Sequence, residues 1–139
     1  ESKHVTPGQQ VLTAAVLGTT LGFSICYDLR FPELYRALAL QGATLCVVPA
    51  AFTLHTGKDH WLPLLRARAI ENQIYVLAAA QHGRHDETRA SYGKSCIVDP
   101  WGTVIAESPD RDDVAVAELD LAYLAQVRQQ LPCSSHRRL

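Results

Sequence analysis

The sequence predicts an α/β fold built as one unit, and three observations carry that prediction. Short apolar segments at residues 20–26, 43–49 and 74–80 read as buried strands. Between them, residues 32–42 and 59–72 place apolar side chains at helical spacing. Strand, helix and strand in this order imply right-handed crossovers and parallel pairing.

Each element has its own signature. Residues 11–16 (VLTAAV) and 20–26 (TLGFSIC) flank Leu17-Gly18-Thr19, the pattern of a β-hairpin. Pro32 suits a first helical position, Leu34, Tyr35, Ala37, Leu38 and Ala39 supply an apolar stripe, and Gly42 ends the helix. Residues 43–49 (ATLCVVP) form the next strand. Asp59 caps a second helix that runs to about Asn72, with Trp61, Leu65 and Ala69 along one side and Pro63 in its first turn. Residues 74–80 (IYVLAAA) are a strand, and the polar stretch 81–90 (QHGRHDETRA) is a surface loop. A second hairpin joins 95–98 to 103–106 through Pro100-Trp101-Gly102, with Trp101 as a packing anchor. Residues 114–119 are expected to form a last strand, and Asp120 caps a final helix through about Gln130.

Composition narrows the function. A chain of 139 residues, 47% hydrophobic and 19% charged, is ordinary for a globular domain and buries roughly two thirds of its unfolded surface. A formal charge of -1 gives no electrostatic reason to expect nucleic acid or an acidic membrane as partner. The basic His136-Arg137-Arg138 reads as a solvated tail. No run approaches the ~20 apolar residues of a membrane span. Cys26, Cys46, Cys96 and Cys133 are widely spaced without a C-x-x-C pair, so reduced thiols and a cytoplasmic location are expected. His55, His60, His82 and His85 lack partners at metal-ligand spacing, so no metal is expected. The absence of methionine implies that Glu1 is not an intact translational start.

The stretch at residues 22–33, GFSICYDLRFPE, carries the chemistry. Cys26 ends an apolar strand in a parallel sheet, where loops leave and helix N-termini point. A helix beginning at Pro32 would favour thiolate and a developing oxyanion nearby. The N–H of Tyr27, next to the nucleophile, is a natural oxyanion donor. A cysteine in that place is also, on spacing alone, an ordinary packing residue. Cys46 and Cys96 match the packing role, and Cys133 an exposed thiol. A cysteine–histidine pair would draw on His60, His82 or His85, though nothing in the sequence brings one of them to Cys26.

The blocks ICYDLRFPELYR, GATLCVVPAAFTLHTGKDHW, LLRARAIENQIYVLAAAQ and RASYGKSCIVDPWGTVIAE resemble the nitrilase superfamily of carbon–nitrogen hydrolases. Within it, the likeness is greatest to the branch containing deaminated glutathione amidase and ω-amidase. The resemblance implies a nitrilase-like α-β-β-α sandwich, with residues 1–139 as the C-terminal half of one such domain. It makes Cys26 the nucleophile and, through ESKHVTPG, Glu1 a supporting second glutamate. It also implies a glutamate base and a lysine that match nothing here: Lys3, Lys58, Lys94, Glu33 and Glu71 stand outside those motifs. The chain alone is therefore expected to be inactive. For the complete protein the resemblance implies hydrolysis of an amide through a thioester, with ammonia release and no cofactor. Deaminated glutathione is the first substrate and an α-keto ω-amide acid the second. A homodimer or larger homo-oligomer is implied as well. The rival reading is a truncated, non-catalytic binding or dimerisation module.

The neighbouring residues admit plain physical roles. Arg30 and Glu33 are expected to support the nucleophile turn through ion pairs, with direct substrate contact as the alternative. Phe52 and Thr53 follow a strand and either line the substrate pocket or pack in the core. Arg66, Arg68 and Glu71 are expected to form an ion-pair lattice rather than a carboxylate clamp, and Arg84, His85 and Arg89 to sit in a solvated loop, the alternative being a loop of the kind that selects substrates.

Overall fold

The computed structural model describes residues 5–138. Glu1 and Lys3 lie outside the described residues. Thr13–Val16 (β1) and Thr19–Phe23 (β2) form an antiparallel hairpin. Its turn residues Leu17 and Gly18 have φ of 48° and 78°, the left-handed pair that matches strand twist in a two-residue turn. A 3₁₀ turn, Cys26–Arg30, and the helix Pro32–Leu40 (α1) lead into Leu45–Ala50 (β3). Leu54–Asn72 (α2) carries the chain to Tyr75–Ala80 (β4). Then follow His82–Arg84 (β5), Ala90–Tyr92 (β6), Cys96–Val98 (β7) and Val104–Glu107 (β8). Leu121–Gln130 (α3) and the single turn Cys133–His136 (α4) close the chain.

Six strands make one sheet in the order β1-β2-β3-β4-β7-β8, with β2, β3 and β4 parallel. One face is covered by α1 and α2. There Cys46, Val48, Val76 and Ala78 pack with Tyr35, Leu38, Trp61, Leu65 and Ala69. Each fully buried large apolar side chain contributes about 1.5–3 kcal/mol, so this layer is the main source of stability. The opposite face is covered in part, where α3 lays Leu124 on Leu45 and Tyr75. Val47, Pro49, Leu77 and Ile97 line an open apolar groove on that side. Among the described residues no helix is long and apolar enough to cross a membrane.

Several elements depart from the sequence expectation. The helix expected from Asp59 begins at Leu54, so Pro63 lies in its interior, on the exposed side. Its early turns are solvated except at Gly57, so they carry no apolar stripe to read. Gly57 is there because α2 meets β6: a Cβ at this position would stand 2.3 Å from Tyr92 Cβ. The expected loop at 81–90 contains the β5–β6 hairpin, a two-stranded surface sheet whose sequence is polar because it lies outside the core. Residues 114–119 form no strand, since they have no ladder partner among the described residues, and Val114 and Val116 are 78% and 80% exposed. Trp101 is exposed rather than an anchor. Its turn is held by Asp99, whose Oδ1 accepts the Trp101 and Thr103 N–H groups, each at 2.9 Å.

The contact at Gly57 yields a test. Gly57→Ala in the full-length protein forces α2 away from Tyr92 and is expected to cost about 1–3 kcal/mol, as overpacking does. Calorimetry should show a melting temperature lowered by several degrees, where an exposed helical glycine would show a gain.

Candidate functional site

The site begins where β2 leaves the sheet. Ser24 is buried and anchored to the neighbouring strand, its N–H and Oγ both donating to the Val47 carbonyl, at 3.2 and 2.9 Å. Its Oγ also shares a 2.7 Å hydrogen bond with the Tyr35 hydroxyl of α1. Burial pushes that phenol well above its ordinary pKa. Two residues on, Cys26 adopts φ 46°. This is the left-handed region, which costs a non-glycine residue about 1 kcal/mol or more. Cys26 is half-buried, packs against the main core and opens the 3₁₀ turn. Asp28 ties the entry to that turn: its Oδ2 accepts the Ile25 N–H at 2.9 Å, and its own N–H donates to the Ile25 carbonyl at 2.9 Å. Tyr27 N–H lies in the first turn, where an amide has no intrahelical acceptor. The turn therefore separates Cys26 from the helix start at Pro32 expected to act on it.

The far end of the turn is clamped from α2. Arg68 is 5% exposed, and its Nε and Nη2 donate to the Leu29 carbonyl at 3.1 and 2.9 Å. Its Nη1 pairs with Glu71 Oε1 at 2.9 Å, and the guanidinium carbon lies 5.6 Å from the Tyr35 ring centroid. Of the expected lattice, Arg68 and Glu71 form the ion pair, whereas Arg66 donates to the Gly102 carbonyl at 2.7 Å. The ion pairs expected of Arg30 and Glu33 are absent among the described residues. Arg30 instead stacks over Tyr27 and Phe52, at 5.6 and 4.9 Å from the ring centroids, and its Nη1 meets His60 Nδ1 at 3.3 Å. Two aromatic faces and an imidazole offer it more than an exposed carboxylate in water would. Phe52 is buried against Trp61, beneath Arg30, and Thr53 is exposed at the start of α2.

The histidines considered as a base are engaged elsewhere. His60 meets Arg30, His82 Nε2 lies 3.2 Å from Asp112, and His85 Nε2 is 2.7 Å from Ser91 Oγ. Cys46 and Cys96 are buried, and burial pushes both thiols up to about 12. Among the described residues no three His, Cys, Asp or Glu side chains gather as metal ligands would.

The carbon-nitrogen hydrolase family model matches residues 1–129. The chain belongs to the carbon–nitrogen hydrolase family. A deaminated glutathione amidase of Synechocystis is 56% identical over 117 residues, covering 84% of this chain and 43% of the relative. Deaminated glutathione amidase of Homo sapiens is 50% identical over 139 residues, 99% of this chain and 42% of its own. The crystal structure of the C. elegans NitFhit protein superposes with a TM-score of 0.96 at 50% identity, covering 99% of this chain and 34% of that one. The α/β fold of the nitrilase superfamily expected from the sequence is thus the fold present. This hydrolase-family chain spans less than half the length of these relatives.

Sequence reading placed Arg68 in an ion-pair lattice and Tyr35 in an apolar stripe but missed that they, with Ser24, hold the turn. Arg68 had a visible signal, because it falls in register with Trp61, Leu65, Ala69 and Asn72 on the buried side of α2. A charged residue inside an apolar stripe asks for buried acceptors. Ser24 and Tyr35 carried no such signal.

Two outcomes follow for the full-length protein. Arg68→Ala leaves the Leu29 carbonyl and Glu71 without their partner and is expected to cost about 2–4 kcal/mol in chemical denaturation. Arg68→Lys should restore only part, lacking the planar fork. Iodoacetamide at about pH 8 should label Cys133 and Cys26 and spare Cys46 and Cys96 until denaturant is added, since alkylation needs the thiolate; peptide mass mapping reads the order.

Proposed function

We propose that the full-length protein hydrolyses the C–N bond of an amide in a small carboxylate-bearing substrate, with Cys26 as nucleophile. The supporting observation is the backbone at Cys26. A left-handed cysteine is held on one side by Ser24 and Asp28 and on the other by Arg68, at the C-terminal edge of a parallel sheet. Such strain persists where the surroundings over-determine it, and that sheet edge is where ligands bind.

In the proposed cycle the Cys26 sulfur gives its proton to a base and attacks the amide carbon. The resulting oxyanion accepts a hydrogen bond from Tyr27 N–H. Collapse breaks the C–N bond, the nitrogen takes a proton and leaves, and a thioester remains. Water adds to the thioester carbon, the acid departs and the thiol is restored. The glutamate base and the lysine of the family likeness match no residue of this chain, and the proposal assigns both to the full-length protein.

Deaminated glutathione is the favoured substrate because relatives at 49–57% identity bear the name of its amidase. Glutathione has no primary amide, so its γ-amide nitrogen would leave as the amine of cysteinylglycine. Ammonia is the product expected only from a primary ω-amide, the second substrate considered. Cys26→Ala in the full-length protein should reduce cysteinylglycine formation by about a thousandfold or more, with the circular dichroism spectrum unchanged. Turnover at the wild-type rate would remove Cys26 from the role.

A further inference from the structure

The β5–β6 hairpin folds over the start of α2 and encloses a cleft of about 860 Å³, within the range of small-molecule sites. Lys58 lines it from α2, and Arg84, His85 and Arg89 line it from the hairpin. Its floor includes Ala51 and Gln81, the residues that follow β3 and β4, so it opens on the same sheet edge as Cys26. Phe23 of β2 lies opposite Val47 of β3. Ser24 N–H still donates to the Val47 carbonyl, so the chain leaves β2 beside β3, and Cys26, two residues on, opens its turn at that edge. Arg30, stacked between Tyr27 and Phe52, joins the turn to Phe52, whose chain neighbours Ala51 and Thr53 line the cleft.

The cleft's acidic side chains do not neutralise it. Asp86 serves its own turn: it accepts the Thr88 N–H and hydroxyl, each at 2.9 Å, and the Arg89 N–H at 2.8 Å. Arg89 Nε pairs with it at 2.5 Å, and these bonds hold the Asp86 carboxyl well below the usual carboxylate range. The Asp86 and Arg89 charges therefore cancel. Glu87 is left against Lys58 and Arg84, neither of which forms an ion pair among the described residues. Arg84 Nη1 donates to the Glu87 carbonyl at 3.3 Å, and His85 is oriented by its 2.7 Å hydrogen bond with buried Ser91.

We propose that this cleft binds the terminal carboxylate of an extended substrate, pairing it with Lys58 and Arg84 while the scissile amide lies at Cys26. The inference rests on the amide-hydrolase reading above. In deaminated glutathione the glycine carboxylate lies two residues beyond the amide, a reach of about 7 Å in an extended chain. That reach exceeds one strand spacing of about 5 Å, so it carries the carboxylate from the turn at Cys26 past the end of β3 toward the cleft.

The test compares deaminated glutathione with its glycine methyl ester, which lacks the distal charge, in steady-state kinetics on the full-length enzyme. The wild type should favour the acid about tenfold or more in kcat/KM, chiefly through KM. Lys58→Ala with Arg84→Ala should bring the two substrates close to parity, and Lys58→Arg with Arg84→Lys should regain most of the preference. Equal use of acid and ester by the wild type, or an unaltered preference in the double alanine variant, overturns the assignment. If neither compound is turned over, the hydrolase reading fails by itself, and calorimetry on the Cys26→Ala protein decides the cleft. There, acid binding weakened about tenfold by the two alanines supports it, and unaltered binding overturns it.

Discussion

Burying a guanidinium costs several kcal/mol unless its donors find acceptors, and Arg68 meets that condition through three groups at once. The Leu29 carbonyl takes two donors, the Glu71 carboxylate takes a third, and the Tyr35 ring lies against the cation. These partners belong to the turn after Cys26, to α2 and to α1. One charge therefore sets the spacing of the two covering helices and the end of the turn between them. A lysine or an apolar residue of similar length would fill the space without imposing that geometry.

The other side of Cys26 is held by different means. Ser24 sits between the Val47 carbonyl and the Tyr35 hydroxyl, so β2, β3 and α1 meet at one buried oxygen. Tyr35 is thus shared by both clamps, through its hydroxyl on one side and its ring on the other. Between the clamps the backbone has little freedom, which is how Cys26 can keep a left-handed φ without glycine. Stability and site geometry come from the same contacts, and the apolar layer under β3 and β4 supplies the rigidity behind them.

Charge near the site follows a similar economy. Arg30 rests on aromatic faces and Asp28 on a backbone N–H, so both serve the turn itself. Asp86 and Arg89 close their own loop. In the cleft beside β6, Lys58 and Arg84 face the single carboxylate Glu87, and that net positive charge is the kind of surface a carboxylate-bearing molecule would meet.

The sequence by itself determined the parallel core, the first hairpin, the Asp120 helix cap and a cysteine close to a strand end, though β2 stops at Phe23 and Cys26 opens the turn that follows. These depend on local pattern: apolar runs of strand length, a leucine–glycine turn, and a carboxylate three residues before the Tyr123 N–H it accepts. Only the tertiary structure decided the φ of Cys26, the earlier start of α2, the β5–β6 hairpin and the unpaired course of residues 114–119. Each of these turns on a partner distant in sequence. Arg68 reaches Leu29 across 39 positions, Tyr92 is what makes a glycine necessary at 57, and a strand is defined by a neighbour that local pattern cannot supply.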